Sequence, residues 1–299
     1  MTTLKDGRLT GAFTAIVTPF TPDGSRIDAA RLDEQIAFQA RGGVKGIVAA
    51  GTTGESPTLS EAEWESLVSR CVERGRASKL LVIAGTGSNS TAHAEELQRR
   101  ARALGADATL SVNPYYNKPT QEGLYRHFMR VADAAPIGVM LYNIPGRTGV
   151  ALTPATVERL SAHPNIVAVK EATGSTDSAS EIAERCPGVA LLSGDDSITL
   201  PFASVGGVGV VSVASNVVPE RVSALCRAFL GGRWEEALGL HRGLFALCRA
   251  LFLETNPIPV KTALALLGRD TGVLRLPMSE ASEATRRALH EVLTRQGLL

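Results

Sequence analysis

The chain has 299 residues, 44% of them hydrophobic, and carries 31 basic against 30 acidic side chains. That is enough apolar material for one large core, and a near-neutral charge without long runs of one sign excludes the electrostatic footprint of a nucleic-acid or membrane-surface binder. No apolar stretch reaches the roughly 18 residues of a spanning helix, and the opening MTTLKDGRLT lacks the apolar middle of a secretory signal, so a cytoplasmic protein with a small-molecule partner is expected.

From the first run onward, short apolar segments rich in β-branched residues alternate with helical patterns. The segments cover residues 12–19 (AFTAIVTP), 44–50 (VKGIVAA), 80–85 (LLVIAG), 108–114 (ATLSVNP), 137–143 (IGVMLYN), 166–170 (IVAVK), 189–194 (VALLSG) and 208–214 (VGVVSVA). Between them lie amphipathic stretches such as DAARLDEQIAFQARGG and TAHAEELQRRARALG, whose polar starts and terminal Gly suit helix capping. Eight strands with helices between them, most apolar on both faces, predict a closed parallel (β/α)8 TIM barrel rather than an open doubly wound sheet. The rest of the chain shows helical periodicity only, broken at NPIP (256–259) and RLP (275–277). The expected organisation is a catalytic barrel over residues 1–230 and a C-terminal helical region over 231–299 packed on it.

Cys71, Cys186, Cys226 and Cys248 are widely spaced and form no C-x-x-C pair, which suits reduced thiols acting as small buried hydrophobes in a cytosol. His93, His127, His163, His241 and His290 are scattered, without H-x-H, H-E-x-x-H or Cys clusters, so no metal is expected. There is no serine nucleophile elbow and no glycine pattern of a dinucleotide or phosphate loop after the first run. No organic cofactor is expected.

Lysine is rare, with 6 residues against 25 Arg, which makes the placement of each informative. Active sites of such barrels sit at the C-terminal ends of the strands. Lys45 and Lys79 precede or begin their runs, Lys5 lies in the N-terminal segment, Lys118 in the loop after the fourth run and Lys261 in a helical stretch. Only Lys170 terminates a strand on the catalytic side. Partial burial disfavours the ammonium form of a lysine, and the neutral amine attacks carbonyls, which points to a Schiff base. A lysine snorkelling from a strand end into solvent is the alternative.

Three further strand ends bear on that choice. GTTGES (51–56) allows a tight turn whose N–H groups and Thr52 and Thr53 hydroxyls can hold a carboxylate or enolate oxygen. YNIPGRTG (142–149) puts the phenol of Tyr142 at a strand end and the Arg147 guanidinium in the following loop: a proton shuttle and a carboxylate fork, or else a core-edge aromatic and a solvated charge. SGDD (193–196) reads as a turn whose acids cap the next helix, with paired-acid catalysis by Asp195 and Asp196 as the lesser option.

Taken together, GTTGES, NPYYNKPTQEGLYRHF, YNIPGRTG, VKEATG, LSGDD, NPIPVKTALALLG and RLPMS, in order from about residue 12 to 296, resemble the dihydrodipicolinate synthase family. GxxGE and the strand-six Lys are shared with the wider pyruvate-dependent class I aldolases, including N-acetylneuraminate lyase and 2-keto-3-deoxy-acid aldolases. The resemblance implies condensation of pyruvate with L-aspartate 4-semialdehyde through an imine on Lys170, in lysine and diaminopimelate biosynthesis. It further implies that Tyr142 relays protons, that Thr53 links it to Tyr116 of a neighbouring subunit, and that Thr52 and Thr53 hold the pyruvate carboxylate. Arg147 would take the semialdehyde's carboxylate, and Gly194 and Val211 would line the pocket through their backbones. Asn143, Glu171 and Asp195 would support the site. A homo-oligomer is implied, a tetramer built from tight dimers. The alternatives are another pyruvate aldolase or hydratase, or a noncatalytic binding barrel; the RT of YNIPGRTG favours the synthase, since sugar-acid lyases need hydroxyl-binding groups there.

In family members inhibited by lysine, the effector sits at positions that here are Ser56, Glu61, Trp64, Asn89, His93 and Tyr115. Sensitive bacterial members carry Glu where this chain has His93, while Glu61 and Trp64 stand where they have His. A neutral imidazole cannot pair the effector's ammonium as a carboxylate does, so weak or absent lysine inhibition is expected.

Overall fold

The computed structural model describes residue 7 and residues 9–299; Lys5 lies outside the described residues. Eight strands, β1 (Gly11–Ala15), β2 (Gly46–Ala49), β3 (Leu81–Gly85), β4 (Ala108–Val112), β5 (Gly138–Asn143), β6 (Ile166–Glu171), β7 (Ala190–Ser193) and β8 (Gly209–Ser212), pair in sequence order as a closed parallel barrel. Closure is made by β1, which pairs with β2 through Phe13 and Gly46 and with β8 through Gly11 and Gly209. Side chains such as Phe13, Val48, Ile83, Met140, Leu192 and Val211 form one buried cluster, while Val139, Leu141 and Val169 pack in another with helix residues Leu124, Phe128 and Leu160. This two-sided burial is why the runs read as continuously apolar.

The helices begin and end where the local chemistry dictates. Helix α1 (Ala29–Arg41) starts at Asp28, whose carboxylate accepts from Arg31 N–H. Helix α2 (Glu61–Ala77) carries a full capping box between Ser60 and Glu63. Helix α3 (Thr91–Leu104) stops at Gly105, which adopts φ +87°, although Ser90 at its start makes no side-chain cap. The remaining barrel helices are α4 (Gln121–Asp133), the one-turn α5 (Pro145–Thr148), α6 (Pro154–Ser161), α7 (Thr176–Arg185), α8 (Thr199–Ser204) and α9 (Pro219–Leu230). Then follow α10 (Trp234–Ala250), α11 (Ile258–Leu266) and α12 (Glu283–Arg295).

The C-terminal helices do not bury a core of their own. Leu244, Leu247, Leu251, Val260, Leu264, Leu289 and Leu293 lie in the same buried cluster as Ile36, Leu67, Val68, Val222 and Phe229 from the barrel helices. Each such side chain contributes about 1.5–3 kcal/mol on burial, so this shared cluster anchors α11 beside the barrel. All four cysteines are free and buried, and burial pushes the Cys71 thiol up to about 12, consistent with thiols that serve as packing.

Candidate active site

The parallel register of β5 and β6 sets Tyr142 beside Lys170 at the C-terminal ends of their strands. Lys170 is only 5% exposed, and its Nζ lies 4.1 Å from the centre of the Tyr142 ring. Among the described residues no carboxylate reaches it. From β7, Gly194 keeps the space above the lysine open, since a Cβ there would stand 3.2 Å from Lys170 Cε and 2.6 Å from Ala172 Cβ. Val211 on β8 is buried in the cluster that includes Tyr142.

The turn after β2 is held from the other end of the chain. Thr52 lines the cavity in front of Tyr142, whereas the buried Thr53 hydroxyl accepts from Asn256 Nδ2 at 3.0 Å. Among the described residues no hydrogen bond joins Thr53 to Tyr142. Glu55 adopts the left-handed conformation, φ 54° and ψ 38°, which costs a non-glycine residue energy and persists because its surroundings hold it. Those surroundings are explicit: Lys261 Nζ donates to Glu55 Oε1 at 2.7 Å and to the Thr18 carbonyl at 3.0 Å, while Arg275 N–H donates to Glu55 Oε2 at 3.0 Å. Burial pulls the Lys261 ammonium below its ordinary value, and the charges of Glu55 and Asp270 oppose that pull. The Thr18 hydroxyl completes the cradle by donating to the Gly54 carbonyl.

The expectation for Lys261, a residue in a helical stretch, is thus incomplete: it is the buried cation beneath the threonine turn. Its sequence signal is a single charge inside the mostly apolar PVKTALALL. Asn256 and Glu55 escape sequence reading because their partners lie some two hundred residues away.

Arg147 lies in α5 at the cavity mouth, exposed, with Nη2 donating to the Asn256 carbonyl at 3.1 Å. Behind the loop, Asn143 donates to Glu171 Oε2 and to the Leu152 carbonyl, and Glu171 Oε1 accepts from Thr173 N–H. Burial raises the Glu171 carboxyl above its usual range, against the lowering effect of those donors. This buried network fixes the ends of β5 and β6. In SGDD, Asp195 accepts from Ser197 N–H at the start of the next short turn, as a cap. Asp196, buried and raised by that burial, accepts instead from Ser212 Oγ and the N–H groups of Val213 and Ala214 after β8.

Thr52, Tyr142 and Arg147 line a cavity of about 430 Å³ together with Ser56, Glu61, Trp64, His93 and Tyr115, whereas Lys170, Thr53, Gly194 and Val211 are not among its wall residues. Five of the six positions singled out for an effector are therefore continuous with the space in front of Tyr142; Asn89 is not on its wall, and its carbonyl accepts from Asn117. Trp64 is anchored by its Nε1–H on the Gly85 carbonyl, and Glu61 pairs with Arg100. Tyr116 points away: it is 90% exposed at φ +72°. Among the described residues, no cluster of three or more His, Cys, Asp or Glu could hold a metal ion, and no helix is long and apolar enough to cross a membrane.

A model of the dihydrodipicolinate synthetase family matches residues 8–296. The chain belongs to this family. The 4-hydroxy-tetrahydrodipicolinate synthase of Citrifermentans bemidjiense is 48% identical over 290 residues, covering 97% of this chain and 99% of that one. Among solved structures, dihydrodipicolinate synthase from Aquifex aeolicus superposes with a TM-score of 0.94 at 45% identity, over 97% of this chain and 99% of that one. The enzyme from Acinetobacter baumannii, solved in complex with pyruvate, gives 0.94 at 40% identity, over 97% of this chain and all of that one. Family membership thus extends over the barrel and the C-terminal helices alike.

Proposed function

We propose that the chain is a 4-hydroxy-tetrahydrodipicolinate synthase that condenses pyruvate with L-aspartate 4-semialdehyde. The observation that carries the reading is the pairing of Lys170 with Tyr142 at the barrel mouth of a member of this family. The Lys170 amine attacks the pyruvate keto carbon, and loss of water gives an imine. The imine makes the pyruvate methyl acidic, and its deprotonation, with Tyr142 as the proton carrier, gives an enamine that attacks the aldehyde carbon. The amine of the second substrate then closes on the imine carbon, the Lys170 nitrogen leaves, and 4-hydroxy-tetrahydrodipicolinate is released.

The threonines divide the remaining work in this reading. Thr53, whose hydroxyl is engaged by Asn256 rather than Tyr142, goes to the pyruvate carboxylate. Thr52, on the cavity wall with Tyr142, both contacts pyruvate and extends the proton relay towards Tyr116 of the partner subunit. The exposure of Tyr116 supports a role in a neighbouring site, and with it a dimer, two of which make the tetramer we propose. Arg147 takes the carboxylate of the semialdehyde, with Gly194 and Val211 as backbone walls. Asn143, Glu171 and Asp195 hold the strand ends. Reduced, buried cysteines suit a cytoplasmic setting. No metal or cofactor enters the reaction as written. His93, uncharged when neutral, underlies our proposal of weak lysine inhibition, which inhibition at submillimolar lysine would overturn.

The decisive test is borohydride reduction with pyruvate, expected to add a stable mass to the peptide carrying Lys170. A coupled assay offering aspartate semialdehyde, N-acetylneuraminate and 2-keto-3-deoxygluconate separates the synthase from its sister aldolases. No adduct, or turnover of a sugar acid alone, refutes the reading.

A further inference from the structure

We propose that Asn256 is a positioning residue that couples the two substrate grips of the active site, presetting the threonine turn through its side chain and Arg147 through its backbone. The inference rests on the synthase reading above and deepens it.

The observations are these. Asn256 is 5% exposed and precedes α11, far in sequence from either grip. Its Nδ2 donates to Thr53 Oγ1 at 3.0 Å. Its carbonyl accepts from Arg147 Nη2 at 3.1 Å. One residue therefore touches the group assigned to the keto acid through its side chain and the group assigned to the semialdehyde through its backbone. Nearby, the Lys261–Glu55 pair fixes the same turn from below, so the position of Asn256 relative to Thr53 is set by buried contacts and not by a mobile loop.

The direction of the first bond matters. A threonine hydroxyl carries one proton and two lone pairs. When an amide N–H occupies a lone pair, the proton remains free to be donated to a ligand oxygen, and a carboxylate is an acceptor with no proton of its own at neutral pH. Asn256 thus orients Thr53 as a donor toward the pyruvate carboxylate. An aspartate at the same place would reverse this, because its carboxylate would draw the hydroxyl proton to itself and repel the anionic substrate. Arg147 is held by the backbone carbonyl, so changing the side chain of residue 256 separates the two grips.

The test is steady-state kinetics on the full-length Asn256→Ala and Asn256→Asp variants, with Thr53→Val and the Thr53→Val/Asn256→Ala double variant, using pyruvate and aspartate semialdehyde as probes. Loss of one preorganising hydrogen bond is expected to raise the pyruvate KM about 3- to 10-fold in Asn256→Ala, and at least as much in Asn256→Asp. The semialdehyde KM and kcat should stay within about 2-fold, because the carbonyl on Arg147 is retained. The double variant should be no worse than Thr53→Val alone. Asn256→Asp keeps shape and volume and carries the test if the alanine variant does not fold. An unchanged pyruvate KM in the folded variants, equal rises in both KM values, or additive effects in the double variant overturn the proposal while a wild-type enzyme that traps pyruvate on Lys170 keeps the function intact. A wild type that traps no pyruvate overturns both.

Discussion

Among the described residues two lysines are buried, and they have opposite surroundings. Lys261 is fully enclosed, 2.7 Å from the Glu55 carboxylate and bonded to the Thr18 carbonyl, with the Phe20 ring 4.3 Å from its nitrogen. Lys170 is nearly as enclosed, yet among the described residues no carboxylate pairs with it; its nitrogen lies over the Tyr142 ring and its Cε beside Gly194. A buried amine with a carboxylate partner is held as a cation by that partner and becomes a structural strut. A buried amine without one is left available for covalent chemistry. In the proposed reaction it is the missing counter-charge, and not burial alone, that sets Lys170 apart from Lys261.

The sharpest way to break this contrast is to remove each amine in turn. Lys170→Met is expected to abolish the borohydride adduct and reduce turnover by at least ~10³-fold, while Tm stays unchanged or rises, because no ion pair is lost. Lys261→Met should do the reverse: it strands the Glu55 carboxylate and lowers unfolding free energy by about 3–5 kcal/mol in urea titration, yet leaves the imine trappable in the folded fraction. Equal Tm losses in the two variants would end the distinction. Arg147→Ala sharpens the functional side, with a fall of ~10- to 100-fold in kcat/KM for aspartate semialdehyde and an undiminished pyruvate adduct by mass spectrometry.

The smallest effect concerns a third buried nitrogen base, His127, which burial lowers to about 4 against the opposing charge of Glu95, and which meets the Thr91 hydroxyl at 2.9 Å. Its folded value lies below the ordinary one, so the unfolded chain binds the extra proton between them. The neutral ring therefore contributes stability above about pH 6.5 that is lost as pH falls towards 4, on the order of 3 kcal/mol. His127→Gln should flatten that segment of the Tm-against-pH curve; an unchanged slope would show that the ring does not drive it.

Most of the barrel is legible in the sequence because its strands are apolar on both faces, but their ends are not. The run 12–19 leaves the ladder after Ala15, where the Asn216 side chain takes up Val17 N–H. The run 208–214 leaves it after Ser212, where Asp196 accepts from Val213 and Ala214. In both places a polar side chain from another strand end substitutes for a neighbouring strand, and no local propensity records that. The site divides in the same way. Lys170, Tyr142, Thr52 and Arg147 stand where strand ends must converge, so topology exposes them. Glu55, Asn256 and Lys261 matter through partners on the far side of the fold, which a reading of short segments cannot join.

The core shared by the barrel helices and α10–α12 has a practical corollary for anyone cutting the chain. A fragment ending at Leu230 would strip the cover from Val222, Leu225 and Phe229 and at once release the cation beneath the threonine turn. Denaturation of the whole chain should consequently follow a single sigmoid, with loss of secondary structure and loss of keto-acid binding superimposed.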